Sequence, residues 1–332
     1  MFPSSLKPLL RTIIDETMNR KPKPTVKLAQ LAEHVMPRLT RVTKLSFVYA
    51  KLVSDDSEGP YDVEVSLMFP ELLGIVGNRL RALHIQSPFA LYLPPQLESL
   101  ESFSLDACAP YHTSKIHGIM LEKIPAFLLA QRSTIRDVSL AIDNVTFDVS
   151  PILQCLQLMS CLHDISLELP YSTKAIHFKE GRNILKTHQQ HLRSLDFSLT
   201  PGLSVKSSAV PPVVGQEWWS VELPNLRNLA IHMPGVLFRW NVGNYIRQFS
   251  SSLVSLTIRR HSNLLSDFFT QNKETERFCK LLCNFPCLQD LSMSLSSFNT
   301  RDISIVAITL PRLCSLFIDY SFVSLVAVSF CK

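Results

Sequence analysis

Three cysteines lie at a spacing that could bind a metal ion. Cys279, Cys283 and Cys287 recur every four residues, so one helix would present three thiols along one side. A structural zinc site takes four ligands, and no fourth stands at a defined spacing from these three. Pro286 would also end a helix before Cys287. We therefore expect the three cysteines to pack as small buried hydrophobes. The same packing is expected of two further cysteines, Cys155 and Cys161.

Two other groups of potential metal ligands also lack the required spacing. His188 and His191 lie three residues apart near the expected end of a helix, and without further ligands we expect two exposed histidines. A second group of carboxylates surrounds Gly59-Pro60 and does not have the spacing of a calcium loop, so it predicts an exposed acidic turn. That group consists of Asp55, Asp56, Glu58 and Asp62.

The common catalytic motifs are absent from the sequence. It contains no P-loop, no GxGxxG, no HExxH and no GxSxG. Its nine glycines are few for phosphate-binding loops, which need backbone without a Cβ close to the ligand. No acid, base and nucleophile are grouped. We therefore expect a protein that is not an enzyme and that holds no cofactor and no metal.

Composition and charge predict a soluble intracellular protein. Of 332 residues, 46% are hydrophobic, and the net charge of +5 is spread along the chain. Nucleic-acid binders concentrate their cations on one face, so nucleic acid is not an expected partner. A basic run at 20–27 is interpreted as a solvated linker, with a nuclear-import or phosphate-binding segment as the alternative. Neither a signal peptide nor a membrane span is visible, which predicts a cytoplasmic or nuclear location and reduced thiols.

A six-residue motif recurs ten times along the chain. It has apolar residues at its first, fourth and sixth positions, as in Leu80-Arg81-Ala82-Leu83-His84-Ile85. The last two apolar positions lie two apart, which is the period of a half-buried strand. The copies begin at 42, 80, 100, 135, 162, 192, 226, 253, 288 and 313, on average about 30 residues apart. The motif predicts ten stacked parallel strands with one buried column: Leu45, Leu83, Phe103, Val138, Ile165, Leu195, Leu229, Leu256, Leu291 and Leu316.

The segments between the motifs carry helical signals. Ser150-Pro151 has the pattern of a helix start, with serine as the N-cap. Apolar residues then recur at the spacing of one helix face. The expected faces are Ile152, Cys155, Leu156 and Met159; Phe278, Leu281, Leu282 and Phe285; and Tyr245, Ile246 and Phe249. Alternating strands and helices predict an α/β solenoid with parallel strands on the concave face and helices on the convex face.

Together the motif and its period resemble the leucine-rich-repeat family over residues 42–320. In that family the motif continues to an Asn or Cys that bonds the loop backbone, and here Cys108 alone occupies that place. Thr200 and Ser296 are weaker substitutes. An irregular solenoid with uneven curvature is therefore expected.

The N-terminal part narrows this resemblance to fungal F-box/leucine-rich-repeat proteins. Leu9-Leu10-Arg11-Thr12, a Pro-rich break and the segment 39–47 look like the region that follows the F-box. The F-box itself is not visible. We expect residues 1–36 to form a helical cap or linker and residues 37–332 to form the solenoid. The apolar C-terminal segment 321–331 is expected to leave apolar surface exposed.

The resemblance implies a protein-binding module, with the substrate-recognition part of an F-box-type ubiquitin ligase receptor as its specific form. Docking to a ligase adaptor would need an F-box upstream of Met1. The alternative is a truncated or degenerate repeat protein with a purely structural role. The partner itself is not identified by the sequence.

Strand alternation places the expected binding surface on the concave face. One column holds the fifth motif position: Ser46, His84, Ser104, Ser139, Ser166, Asp196, Ala230, Thr257, Ser292 and Phe317. The other holds the residue after the motif: Val48, Gln86, Asp106, Ala141, Glu168, Ser198, His232, Arg259, Ser294 and Asp319. Asp106, Glu168 and Asp196 predict a partner segment with basic residues, while His232 and Arg259 make the later part basic. The alternative is a polar face that serves solubility alone.

A long insertion at 200–222 supplies a second candidate contact. It holds several prolines and then Trp218 and Trp219, which are candidate loop anchors for a partner. The alternative is that these indole rings cover the core of the following repeat.

Overall fold

The structure is a computed structural model. It describes residues 41–48, 69, 73–74, 76–86, 93, 97–107, 123–142, 148–170, 176–200, 220–234, 242–249, 251–261, 280–294, 300–319 and 326–329.

Ten parallel strands follow one another in chain order in a single sheet, and an eleventh strand pairs antiparallel at its end. The strands are β1 Lys44–Val48, β2 Ala82–Gln86, β3 Ser102–Asp106, β4 Asp137–Ala141, β5 Asp164–Pro170, β6 Ser194–Thr200, β7 Asn228–Pro234, β8 Ser255–His261, β9 Asp290–Ser294, β10 Ser315–Asp319 and β11 Val326–Ser329. Each of the first ten begins at the third position of one motif copy, which confirms the predicted repeat. The repeats are uneven in length: β2 begins 38 residues after β1, whereas β3 begins 20 residues after β2.

The predicted apolar column is confirmed in register. Leu83 pairs with Phe103, Phe103 with Val138, and so on without a break to Leu316. From β2 to β10 these side chains are at most 2% exposed, and each burial stabilises the fold by about 1.5–3 kcal/mol. Leu45 in β1 is only partly buried, because β1 is the first strand of the sheet.

The described helices cover the face of the sheet that carries this column. They are α1 at 123–130, α2 Ser150–Gln157, α3 Ile176–His188, α4 Val242–Arg247 and α5 Thr300–Thr309, with a 3₁₀ turn at Gly77–Arg79. Ile124, Leu156, Leu185, Ile246 and Val306 belong to the same core cluster as the inward strand residues. The expected helix faces are confirmed where they are described, since Ile152, Phe249 and Phe285 are buried too. Phe278 lies outside the described residues.

The start of α2 differs in one detail from the expectation. The backbone N–H of Ser150 donates to Asp148 Oδ1 at 3.0 Å, and the N-cap residue is Val149, which makes no side-chain capping bond. The Ser150 hydroxyl is buried without a hydrogen-bond partner, and Ser150 is already the first helical residue. Ser150 as N-cap was therefore wrong by one residue, because the helix already begins at Ser150 and Val149 is the N-cap.

Side chains on the helical side bond the backbone of the preceding repeat. In the amide orientation that satisfies both groups, Gln131 Nε2 donates to Leu97 O at 2.8 Å and Oε1 accepts from Leu97 N at 2.7 Å. The His188 ring contacts Leu156 O through Nε2 at 2.8 Å. These contacts satisfy buried backbone groups without a repeated Asn position. Cys108 lies outside the described residues.

His188 was expected to be exposed, and this was wrong. Its side chain is 1% exposed, because α3 packs against the end of α2 and the ring reaches the Leu156 carbonyl. Burial lowers the pKa of His188, the backbone hydrogen bond raises it, and the positive charge of His191 lowers it. The ring is therefore held neutral. His191 is exposed, as expected.

The expected burial of the cysteines holds only in part. Cys155 is buried, as expected, but Cys161 and Cys287 are only half-buried and Cys283 is exposed. The core face of this segment is formed by Leu282 and Phe285, and Cys283 follows Leu282 directly and so points away from it. Cys279 and the acidic group at 55–62 lie outside the described residues.

The two ends of the sheet differ. At one end, Phe47 of β1 packs edge-on against Phe69, with ring centroids 5.0 Å apart. At the other, β11 runs antiparallel to β10, which the sequence did not indicate. The expected N-terminal cap at 1–36 and the side chains of 321–331 lie outside the described residues.

Candidate functional site

The face of the sheet opposite the helices, here called the open face, carries the two predicted polar columns. In the first, Ser46 pairs with His84, and the register continues strand by strand to Phe317. In the second, the register runs from Val48 to Arg259. Buried and partly exposed residues alternate along β2, β3 and β4, so burying one set presents the other on the open face. In β6 the second-column residue Ser198 is itself buried, at 6% exposed.

Charged groups of the two columns meet around Asp196 of β6. Ser166 Oγ donates to Asp196 Oδ2 at 3.4 Å from the neighbouring strand β5. Burial raises the pKa of Asp196, and the positive charges of His232 and Arg259 and the bond from Ser166 oppose that rise. His232 on β7 and Arg259 on β8, two predicted contact residues, therefore already interact with the acidic residue Asp196.

Glu168 belongs to the same part of the surface. It pairs in register with Ser198, which pairs with His232, which pairs with Arg259. Four adjacent strands, β5 to β8, thus carry an acidic side followed by a basic side. We call Glu168, Asp196, His232 and Arg259 the central charge cluster. Its side chains can bind both cationic and anionic groups and can form hydrogen bonds.

The chain folds as an irregular leucine-rich-repeat solenoid. No protein-family model and no curated protein matches it. Among solved structures, it is similar to the leucine-rich repeat-containing protein LegL7 from Legionella pneumophila, with 12% sequence identity over 85% of this chain and 86% of that chain and a TM-score of 0.38. The fold assignment rests on the ten-strand register and the motif.

Two further predicted contacts lie away from the central charge cluster. His84 Nδ1 lies 2.9 Å from Ser104 Oγ on the next strand of the solenoid. Asp106 ends β3, two strands before β5, so it lies about 10 Å from the cluster along the sheet. The structure therefore places the six predicted residues on one face but brings only four of them together.

A third column on the open face was missed. It holds the third motif position, two residues before the first predicted column, so strand alternation extended one step back would have found it. Its members pair in register over all ten strands: Lys44, Ala82, Ser102, Asp137, Asp164, Ser194, Asn228, Ser255, Asp290 and Ser315.

Two aspartates of this third column form a close pair. Asp137 and Asp164 are register neighbours on β4 and β5. The pKa of Asp137 is raised to about 6, first by burial and then by the hydrogen bond and the negative charge of Asp164. Two carboxylates at one strand spacing compete for ionisation, so the pair holds a proton more tightly than an isolated aspartate does. The acidic character of the open face therefore extends from β6 back to β4.

The described residues contain neither a metal-binding cluster nor a membrane-spanning helix. Among them, no group of three or more His, Cys, Asp or Glu side chains is arranged to hold a metal ion. Within the same part of the chain, no helix is long and apolar enough to cross a membrane. Trp218 and Trp219, the candidate loop anchors, lie outside the described residues.

Proposed function

We propose that this chain is a non-enzymatic protein-binding module that holds a partner segment on the open face of β3 to β8. The observation that carries the proposal is the central charge cluster, which presents fixed groups of both signs on four adjacent strands. Small residues lie beside it in the first column, at Ser139, Ser166 and Ala230. They leave room for a partner to approach the sheet.

The order of acidic and basic positions along the open face defines the charges that a partner should carry. The acidic positions on β3 to β6 favour basic side chains, and His232 and Arg259 on β7 and β8 favour acidic ones. A basic group that binds at Asp196 must compete with His232 and Arg259, which already act on that carboxylate. Selectivity therefore comes from matching the order of charges, since like charges placed opposite each other are costly.

A matched pair of double variants tests the proposal. Glu168→Lys with Asp196→Asn changes the cluster, and Glu222→Lys with Asp290→Asn makes the same change in net charge at exposed positions outside it. Partners cross-linked in cells of the source organism are quantified by mass spectrometry for wild type and both variants. We expect the cluster variant to lose its main partners at least about ten-fold, which corresponds to about 1.4 kcal/mol, and the control variant to keep them.

Folding is verified for each variant by circular dichroism and thermal melting. A folded cluster variant with an unchanged partner set would contradict the proposal. It would favour the alternative that the solenoid is a structural element whose polar face serves solubility.

A finer proposal is that the module is the substrate-recognition part of an F-box-type ubiquitin ligase receptor. Its support is the resemblance of the segments 9–12 and 39–47 to the region after the F-box. The test is to sequence the transcript upstream of Met1 and to co-purify the F-box-binding adaptor with the product. An upstream F-box and a bound adaptor support it, whereas absence of both leaves a binding module without a ligase link.

A further inference from the structure

A row of basic side chains lies at the edge of the sheet where the strands start. The second motif position is Arg136, His163, Arg193 and Arg227 in four successive repeats. Each carbonyl in this row accepts two N–H groups from the next repeat, which fixes the spacing. Arg136 O accepts from His163 N at 2.8 Å and Asp164 N at 3.1 Å, and the same pair of bonds follows at His163, Arg193 and Arg227. We call these four residues the basic edge.

The basic edge is exposed, and Glu101 holds the same motif position in the repeat before Arg136. Arg136, Arg193 and Arg227 are exposed, and His163 is half-buried. At the same edge Arg81 pairs with Glu101 at 4.0 Å, but no carboxylate of the described residues lies within ion-pair distance of Arg136, Arg193 or Arg227.

The electrostatics of His163 show that the cations act on one another. Burial lowers the pKa of His163, and the positive charges of Arg193, Arg136 and His191 lower it further. Asp137 acts in the opposite direction. A row of mutually repelling cations is a cost to the free protein, and an anionic partner relieves that cost on binding.

The spacing selects the kind of anion. Neighbouring strands lie about 4.8 Å apart. Carboxylates on one face of an α-helix recur about every 5.4 Å. Across four strands their positions therefore differ from those of the basic edge by about 2 Å in total, a difference that long arginine side chains can span. Side chains on one side of an extended peptide recur about every 6.7 Å, so over the same four strands they differ from the positions of the basic edge by about 6 Å. Single-stranded nucleic acid relies on aromatic stacking, and no Phe, Tyr or Trp stands at the second position of any of the ten motifs.

We propose that the basic edge binds an acidic α-helix of a partner protein, whose carboxylates recur at i, i+4, i+7 and i+11. This surface is separate from the open face and takes a partner group of the opposite charge. The proposal uses none of the residues of the central charge cluster, so the two proposals succeed or fail separately.

The test measures binding of labelled probes to the full 332-residue chain by fluorescence anisotropy. The main probe is a stapled helical peptide with glutamates at i, i+4, i+7 and i+11. The comparison probes are an extended peptide of the same composition with glutamates at alternate positions, and an oligothymidine of equal charge. The tested variant is Arg136→Gln, Arg193→Gln and Arg227→Gln together. The control variant is Arg41→Gln, Arg247→Gln and Arg312→Gln, which removes three exposed arginines elsewhere.

We expect the helical probe to bind best and the basic-edge variant to weaken it about ten-fold, since each exposed charge pair contributes about two-fold. The control variant should change binding less than about two-fold. Replacing the same three residues by lysine keeps the charge and should keep most of the affinity. If the glutamine variant does not fold, Arg193→Glu alone tests the same edge.

Three outcomes would overturn the inference. Equal losses in the control variant would show attraction by net charge alone. Equal or tighter binding of the extended peptide or of oligothymidine would assign the edge to another partner class. Absence of measurable binding at low salt, where exposed charges act most strongly, would show that the edge is not a binding surface for such helices.

Discussion

The pair of Asp137 and Asp164 on β4 and β5 allows a specific test of the open-face electrostatics. Asp137→Asn replaces one carboxylate by a neutral group of the same shape. The folded protein raises the pKa of Asp137 from 3.8 to about 6 by burial and by the proximity of Asp164. The ionised carboxylate is thus less stable in the folded chain than in the unfolded chain, and the substitution removes that cost.

The magnitude follows from the two pKa values. At about 1.4 kcal/mol for each pH unit, the change from 3.8 to about 6 corresponds to about 3 kcal/mol. Asp137 is only half-buried, and solvent screening reduces this to about 1 kcal/mol. The folded state binds the proton more tightly, so the cost is fully present above pH 6 and disappears as the pH falls towards 3.8.

Urea denaturation at several pH values measures the effect. We expect Asp137→Asn to raise the free energy of unfolding by about 1 kcal/mol at pH 7.5, with a gain that shrinks below pH 6. The control is Asp290→Asn in the same column, where the register neighbours are Ser255 and Ser315 and the change should stay within about 0.5 kcal/mol. A loss of stability at pH 7.5, or a gain that is the same at pH 4.5, would refute the explanation.

Three further predictions concern the core and the contacts between repeats. Leu195→Ala, at a position 2% exposed, should lower the free energy of unfolding by about 2–5 kcal/mol in chemical denaturation. Its control, Ser194→Ala on the open face, should lower it by less than about 1 kcal/mol. Similar costs for both would contradict the assigned core. Gln131→Ala removes the acceptor of the Leu97 N–H, while Leu97 O keeps its bond from Leu100 N at 3.1 Å. The change should cost about 1–3 kcal/mol and speed amide exchange at Leu97, and unchanged exchange there would argue against the contact. His188→Gln removes a group whose pKa is lowered by burial, so wild type should lose stability relative to the variant as the pH falls below 6.5. Parallel curves of unfolding free energy against pH would show that the buried ring does not contribute to the pH dependence of stability.

The repeat and its register could be predicted from the sequence because both follow from local spacing. The apolar positions of the motif recur at strand period, and one buried column from Leu83 to Leu316 is the arrangement that buries them all. The helix faces at Leu156, Ile246 and Phe285 follow in the same way from helical spacing. Each of these predictions depends on residues that are close together in the chain.

The misplaced residues depend on which side chains the folded chain turns towards the core. His188 is buried because α3 brings it to the Leu156 carbonyl, 32 positions earlier in the chain. Cys283 is exposed although the cysteine spacing matches a helix, because Leu282 and Phe285 occupy the inward side. In both cases the residue type was compatible with either environment. The contact with the preceding repeat decided for His188, and the inward position of Leu282 and Phe285 decided for Cys283.

The sequence alone determined that this chain is a solenoid of stacked strands, because a motif that recurs ten times can bury its apolar positions together only by stacking its copies in register. It also determined which residues lie on the open face, because side chains alternate along a strand. Only the tertiary structure decided which charges meet. Asp196, His232 and Arg259 come from three repeats, Asp137 and Asp164 from two, and the basic edge from four. Their interaction depends on the strand register, which sets a distance of about 4.8 Å between residues some 30 positions apart.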